Sequence, residues 1–268
     1  MRVLSLGWGV QSWTLAAMAA LGEIEAVDFA IHADTGHEMS GTYAHAKKWT
    51  GWLERRGVKV ITVRAEDTGV VTKGAVMIPA YGLSEKGEVV PINRQCTNAW
   101  KIQPIRKYIR TQLPSRPAPD SVSMITGISW DESLRIRPSR IKYIKYEYPL
   151  VDARITRAHC ITWLQAHGLD VPVKSGCTFC PFTPKNGWKE LKRLGGSDWK
   201  RAVAADEKIR EKGVAASRSG HWKTVEFYVN SHALPLAEAV NIPEDIGATQ
   251  MGLVLDEQVA CDSGYCFT

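Results

Sequence analysis

The chain has 268 residues, 44% hydrophobic and 23% charged, with a formal net charge of +6. This composition is that of a globular protein with a real core, and the length leaves room for one large domain or a domain with a small appendage. The positive balance suits anionic partners such as nucleotides or nucleic acid, and equally a plain solvated basic surface.

Read in chain order, an apolar run from Val3 to Leu6 leads into Ser5-Leu-Gly-Trp-Gly-Val-Gln-Ser12 and then an amphipathic run from Trp13 to Leu21. That order predicts strand, glycine loop and helix. Such a loop points backbone N–H groups and a helix N-terminus at an anion. Gly7 and Gly9 would permit close approach, and Ser12 would cap the helix or donate to a phosphate oxygen. A glycine turn with no ligand is the plain alternative. The stretch to Gly22 does not read as a leader peptide, because Gly7-Trp8-Gly9 interrupts its apolar run and Arg2 is its single cation. No stretch is long enough to span a membrane. A cytoplasmic setting with no membrane partner is expected, so the six cysteines are expected as thiols or metal ligands.

Val27 to Ala33 predicts a buried parallel strand. Thr42 to Arg56 predicts a helix with Tyr43, Ala46, Trp49 and Leu53 on one stripe, ended by Gly57. Val58 to Val63 predicts the next strand. Residues 67–93 read as a long surface loop. Lys101 to Leu113 reads as a basic helix stopped by Pro114, and Pro117 and Pro119 mark a linker. Val122 to Ile128 is a further buried strand, and Thr156 caps a helix reaching His167. From about Lys174 the pattern turns helical, near Trp188 to Leu194 and Asp198 to Lys212, with no strand in view. The tail from Asp245 reads as loop. The expected fold is α/β: a doubly wound, mostly parallel sheet over residues 1–173, followed by a cysteine-bearing helical C-terminal region and tail over 174–268. Ligands in such sheets bind at the carboxyl ends of strands.

Four stretches carry a resemblance. They are Asp34-Thr-Gly-His-Glu38 with Thr42-Tyr43, Thr126-Gly-Ile-Ser-Trp-Asp-Glu-Ser133 with Arg135, Tyr148-Pro-Leu-Val-Asp152, and Gly176-Cys-Thr-Phe-Cys180. In order and rough spacing over residues 1 to 183 they resemble the phosphoadenosine phosphosulfate (PAPS) reductase family, within the PP-loop adenine nucleotide α-hydrolase superfamily. The resemblance implies a PP-loop fold and a site for ATP, APS or PAPS. It implies Ser5, Gly7, Gly9, Gln11 and Ser12 around the phosphates, and His32, Asp34, Thr35 and Gly36 along the adenosine. Gly127, Asp131, Glu132, Ser133 and Arg135 would follow a strand end, where they can meet phosphate, Mg²⁺ or ribose. An exposed acidic turn and a surface ion pair are the plain alternatives for Asp131, Glu132 and Arg135. The loop departs from Ser-Gly-Gly-x-Asp-Ser in that Gln11 stands where the Asp is expected, which removes that carboxylate from any Mg²⁺ role.

The resemblance also implies cluster ligands. Cys96, in Arg94-Gln-Cys-Thr-Asn-Ala-Trp-Lys-Ile-Gln-Pro104, matches a family segment with two adjacent cysteines, of which Thr97 replaces the second. Cys96, Cys177 and Cys180 would then hold a [4Fe–4S] cluster with one iron open to hydrosulfide, or a structural zinc with a His. Cys261 and Cys266 lie in a tail lacking the family's Glu and His. A tail nucleophile, a tail disulfide and no role stay open. Cys160 reads as core packing. Trp188, Trp199 and Trp222 lie among basic residues and read as core, with base stacking as the alternative.

These features lead to three expectations. The first is ATP-dependent sulfur transfer, by adenylation of an acceptor such as a nucleic-acid group and displacement of AMP by sulfide. The second is an APS or PAPS reductase forming sulfite through a tail cysteine, with a thioredoxin-like reductant. The third is a non-catalytic nucleotide-binding protein with structural zinc.

Overall fold

The structure, a computed structural model, describes residues 1–73, 75–84, 86–92, 95–212 and 224–241. The chain opens with β1 (Arg2–Ser5), α1 (Val10–Leu21), β2 (Phe29–Ala33), α2 (Ser40–Glu54) and β3 (Val60–Val63). Four short strands follow: β4 (Val71–Thr72), β5 (Ala75–Val76), β6 (Ala80–Ser84) and β7 (Val89–Ile92). A π-helical turn (Thr97–Ile102) leads into α3 (Gln103–Thr111), β8 (Val122–Ile125), a 3₁₀ helix (Trp130–Arg135), β9 (Ile144–Glu147), α4 (Pro149–Asp152) and α5 (Arg157–Ala166). Then come α6 (Lys185–Leu194), α7 (Gly196–Lys212), β10 (Thr224–Tyr228) and α8 (Leu236–Ala239).

The described chain divides into two compact units, Met1–Ala65 with Asn98–Gly176, and Glu66–Thr97 with the described residues from Cys177 on. The first unit is α/β. Its five strands lie in the order β3-β2-β1-β8-β9, and every neighbouring pair is parallel. Val3 pairs with Phe29 on one side and Met124 on the other. The three central strands are almost wholly buried, which is why they read as unbroken apolar runs rather than alternating ones. Successive side chains still point to opposite faces. Leu4 and Ile125 pack with Trp13, Ala16 and Ala17 of α1, Trp49 and Leu53 of α2 and Leu164 of α5. Val3, Ile31 and Met124 pack on the other face with Ile105 and Ile109 of α3. Helices on both faces of a parallel sheet are compatible with a Rossmann-like, doubly wound fold. The chain leaves β1 toward β3 and later returns to β8 beside β1, so the strand order reverses between β1 and β8. That crevice is where open α/β sheets bind ligands.

Local chemistry explains the element ends. Gly22 adopts φ +76° and closes α1, its N–H and that of Glu23 reaching back to Ala19 and Met18. Thr156 and His159 form a reciprocal capping box at the start of α5. The buried stripe of α2 is Thr42, His45, Trp49 and Leu53. Tyr43 turns aside from the expected stripe because its hydroxyl donates to Asp34.

The second unit corrects two expectations. Residues 67–93, read as a loop, carry β4 to β7. The region beyond 174, read as helical with no strand, contains β10, which pairs antiparallel with β6, Tyr228 opposite Tyr81. With β7 on the far side of β6, this makes a three-stranded sheet. The partners lie far apart in sequence, β6 holds a glycine, and the edge strand β7 holds Pro91, so neither shows a strand signal of its own. Asp206 of α7 is buried and accepts from the Val229 and Leu236 N–H groups and from Arg210. Among the described residues, no helix is long and apolar enough to cross a membrane.

Candidate functional site

Four residues, Leu6 to Gly9, link β1 to α1. Trp8 holds φ +59°, a left-handed conformation rare for a bulky residue, with its ring buried against Trp13 and His45. Ser12 closes the loop on itself: its Oγ accepts from the Gly7 N–H at 3.2 Å and donates to the Gly9 carbonyl at 3.3 Å. No side chain caps the N-terminus of α1, so its first N–H groups keep their capacity for an acceptor.

The segment after β8 presses onto this loop. A Cβ on Gly127 would stand 2.7 Å from the Ser12 backbone nitrogen, so only glycine allows the two backbones to meet. Gln11 crosses between them, its Nε2 donating to Glu132 Oε2 at 3.0 Å and reaching Ser129 Oγ at 3.4 Å. Arg135 Nη1 donates to the other Glu132 oxygen. Gln11 Oε1 is buried, with no hydrogen-bond partner among the described residues. Gln11 therefore ties the loop to Glu132 as a neutral donor, and the loop itself offers no carboxylate to Mg²⁺.

A second group sits at the carboxyl end of β2. His32 Nδ1 lies 3.0 Å from the Leu6 carbonyl. A carbonyl only accepts, so Nδ1 carries the proton. Burial lowers the His32 pKa, partly opposed by the charge of Glu38, and keeps the ring neutral. Asp34 Oδ1 accepts from the Gly36 N–H at 2.8 Å and the Tyr43 hydroxyl at 2.7 Å. Burial alone would raise its pKa, but these two donors together with the nearby His32 and Arg64 outweigh it, and the carboxyl stays below its usual range. Gly36 needs its φ of +76°, and a side chain there would strike Arg64. Thr35 is buried and accepts from the His37 N–H. Glu38, almost fully buried, pairs with Lys101 at 3.4 Å. Lys101 and the buried Trp100 come from the π-helical turn, and the Trp100 ring packs 5.6 Å from His37. Such turns recur at functional sites.

Of the residues singled out from sequence, Gly7, Gly9, Gln11 and Ser12 thus meet Gly127, Glu132 and Arg135. His32, Asp34, Thr35 and Gly36 form the second group, and the His32–Leu6 contact joins the two. Ser5 ends β1. Ser133 lies within the 3₁₀ helix. Asp131 is exposed on that helix and accepts from the Arg157 N–H at the start of α5. Residues not singled out as site residues are Trp8, Tyr43, Glu38, Lys101 and Ser129. All five stand inside the quoted motif segments, but the loop strain at Trp8 and the buried contact of Ser129 emerge only on folding.

Cys96, Cys177 and Cys180 belong to the second unit. Cys177 and Cys180 share one turn, the Cys180 N–H donating to the Cys177 carbonyl at 3.0 Å. The Cys96 N–H donates to the Met77 carbonyl at 2.8 Å. Thiolates are suitable donors for iron or zinc, yet among the described residues no three Cys, His, Asp or Glu side chains are gathered to hold a metal. Cys160 is buried in α5 and burial pushes its thiol up to about 11, which makes it inert. Cys261, Cys266 and Trp222 lie outside the described residues. Trp188 is buried.

No protein-family model matches the chain, and no curated protein matches it either.

Proposed function

We propose that this chain is an adenine-nucleotide-binding enzyme of sulfur chemistry, of the PP-loop, PAPS reductase-like kind, and that its reaction is ATP-dependent sulfur transfer. The observation that carries the reading is the convergence at the crevice between β1 and β8. Gly127 meets the first residues of α1 backbone to backbone, beside an uncapped helix N-terminus and a buried, unsatisfied Gln11 Oε1. A phosphate chain suits that cradle, with Arg135 nearby to balance its charge. The neutral His32, Asp34 and Thr35 would border the adenosine.

ATP is favoured over APS or PAPS because Thr97 stands in for the second cysteine and the tail lacks the reductase Glu and His. An acceptor oxygen would attack the α-phosphorus and release pyrophosphate. Hydrosulfide would then displace AMP, so no electrons are gained or lost. The oriented N–H groups would hold the α-phosphate in line and stabilise the charge that builds there. Cys96, Cys177 and Cys180 are proposed as the sulfur-handling thiols.

Calorimetric titration with ATP, APS and PAPS tests the reading. The wild-type chain is expected to bind ATP, and Gly127→Ala to weaken it about tenfold, the cost of about 1.4 kcal/mol for a displaced loop. Melting curves show whether Gly127→Ala is folded, and Arg135→Gln supplies a second loss should it not be. Binding of none of the three nucleotides would end the proposal.

A further inference from the structure

The carboxyl edge of the first unit carries a patch that nucleotide binding leaves unused. Trp130 is 45% exposed and Leu134 90% exposed, both on the 3₁₀ helix that follows β8. They stand four residues apart on it, a turn and a third of a 3₁₀ helix, and are among the exposed large hydrophobic side chains of the described residues. Arg154 lies over the Trp130 ring at 5.6 Å from its centroid. It does so from a left-handed backbone conformation, φ +54°, at a helix end where glycine is the usual residue. The chain holds that arginine in place despite a cost of about 1 kcal/mol. The Trp130 N–H donates to the Ile155 carbonyl at 2.8 Å, which fixes the two segments side by side.

Arg137 extends the patch. Its Nη1 donates to the Leu134 and Ile136 carbonyls, and its own carbonyl accepts from the Tyr148 hydroxyl at the end of β9. Among the described residues, no carboxylate pairs with Arg137 or Arg154. Asp131, the nearest acid in sequence to Trp130, is turned to the Arg157 N–H. The patch is therefore cationic and aromatic. It lies on the same segment as Glu132 and Arg135, which are tied to the phosphate loop through Gln11.

We propose that Trp130, Leu134, Arg137 and Arg154 form a docking surface for single-stranded nucleic acid. A base stacks on Trp130 and Leu134, and the flanking phosphates pair with Arg137 and Arg154. An exposed ring beside arginines with no acid partner fits this chemistry, because every base offers a face to stack on and every linkage a charge to neutralise. An acidic protein segment would satisfy the charges but leave the ring without a flat partner. The surface names the acceptor class of the sulfur transfer proposed above and rests on that reading for its catalytic meaning. Its binding stands separately.

The test is fluorescence anisotropy of a labelled oligouridylate of about 16 nucleotides across a salt series, with ATP affinity measured on the same proteins. The expected result is salt-sensitive binding by the wild type. Trp130→Ala should weaken it about tenfold. Arg137→Ala with Arg154→Ala should lower the slope of log affinity against log salt by about 1.4, two phosphates at about 0.7 each for a single strand. All variants should keep wild-type ATP affinity, which also reports that they are folded. No binding by the wild type, binding unchanged by these substitutions, or equal binding of a polyglutamate peptide would each overturn the surface. Loss of ATP binding in the wild type would instead strike the nucleotide reading and leave the surface to be judged on the oligonucleotide alone.

Discussion

His45 shows how one residue can couple acidity to the fold. It lies on α2 among the rings of Trp8, Trp13 and Trp49, with centroids 5.9, 5.1 and 6.3 Å away. Its Nε2 is buried, with no hydrogen-bond partner among the described residues. Burial lowers its pKa to about 4, although Asp170 pulls the other way. The unfolded ring takes up a proton near 6.5 and the folded ring does not, so the unfolded state gains as pH falls. The contribution of His45 is complete above pH 6.5 and is lost on the way down to about 4. The buried His32 adds a loss of the same sign. The melting temperature is expected to drop across that window, and His45→Phe, which suits the aromatic cluster, should flatten the drop. Equal slopes for variant and wild type would assign the acid sensitivity elsewhere. Glu38 and Lys101 make the matching point for charge. Lys101→Met leaves a carboxylate in a buried place and should cost about 3–5 kcal/mol. Adding Glu38→Leu should recover most of that loss in denaturant titrations, and a double variant as unstable as the single one would show that the pair is not the issue.

At the scale of elements, two loops and one irregular turn do the positioning. The β1–α1 loop is held by Ser12 from within and by Gly127 and Gln11 from outside. The π-helical turn arises where an α-helix was expected from Lys101 on. Pro104 has no N–H to donate back to the Trp100 carbonyl, so the regular ladder is broken at that point. The turn widens over Thr97–Ile102 and α3 begins afresh with the proline in its first turn. That change of pitch sets Trp100 beside His37 and Lys101 beside Glu38. An α-helical continuation would rotate both side chains away, since each residue advances about 100° around an α-helix and less around a wider one.

For the whole molecule, the cysteines decide between the chemistries. Under the proposed sulfur transfer, Cys261→Ser and Cys266→Ser should leave ATP-dependent thiolation of an oligonucleotide near wild type, while Cys177→Ser should abolish it. Abolition of turnover by Cys266→Ser, together with sulfite formed from APS or PAPS, would instead establish a tail-cysteine reductase. Iron, zinc and acid-labile sulfide measured in protein prepared without oxygen would show what the three thiols Cys96, Cys177 and Cys180 hold. Zinc without sulfide would retire a cluster.

Four of the five parallel strands, the glycine loop and the helices around them were legible along the chain, because each is a local pattern; the edge strand β9, Ile144–Glu147, is half polar and gave no apolar run. Buried strands read as apolar runs, Val3 to Leu6 and Val122 to Ile125 among them. Thr156 announced α5, and Gly22 ended α1. The phosphate-loop residues stood out for the same reason, since a turn after a strand must be built from residues that permit it. What local pattern cannot carry is the identity of partners far apart in sequence. Pairing of β10 with β6 joins residues 224–228 to 80–84; Thr-Val-Glu-Phe-Tyr has strand-forming residues that the sequence reading passed over, but which strand it would meet is not written in it. The partners of Gln11, the ion pair of Glu38 with Lys101 and the exposure of Trp130 were likewise decided only by tertiary structure. Each depends on which surfaces meet once the apolar runs are buried, and that is a property of the packed chain rather than of any segment of it.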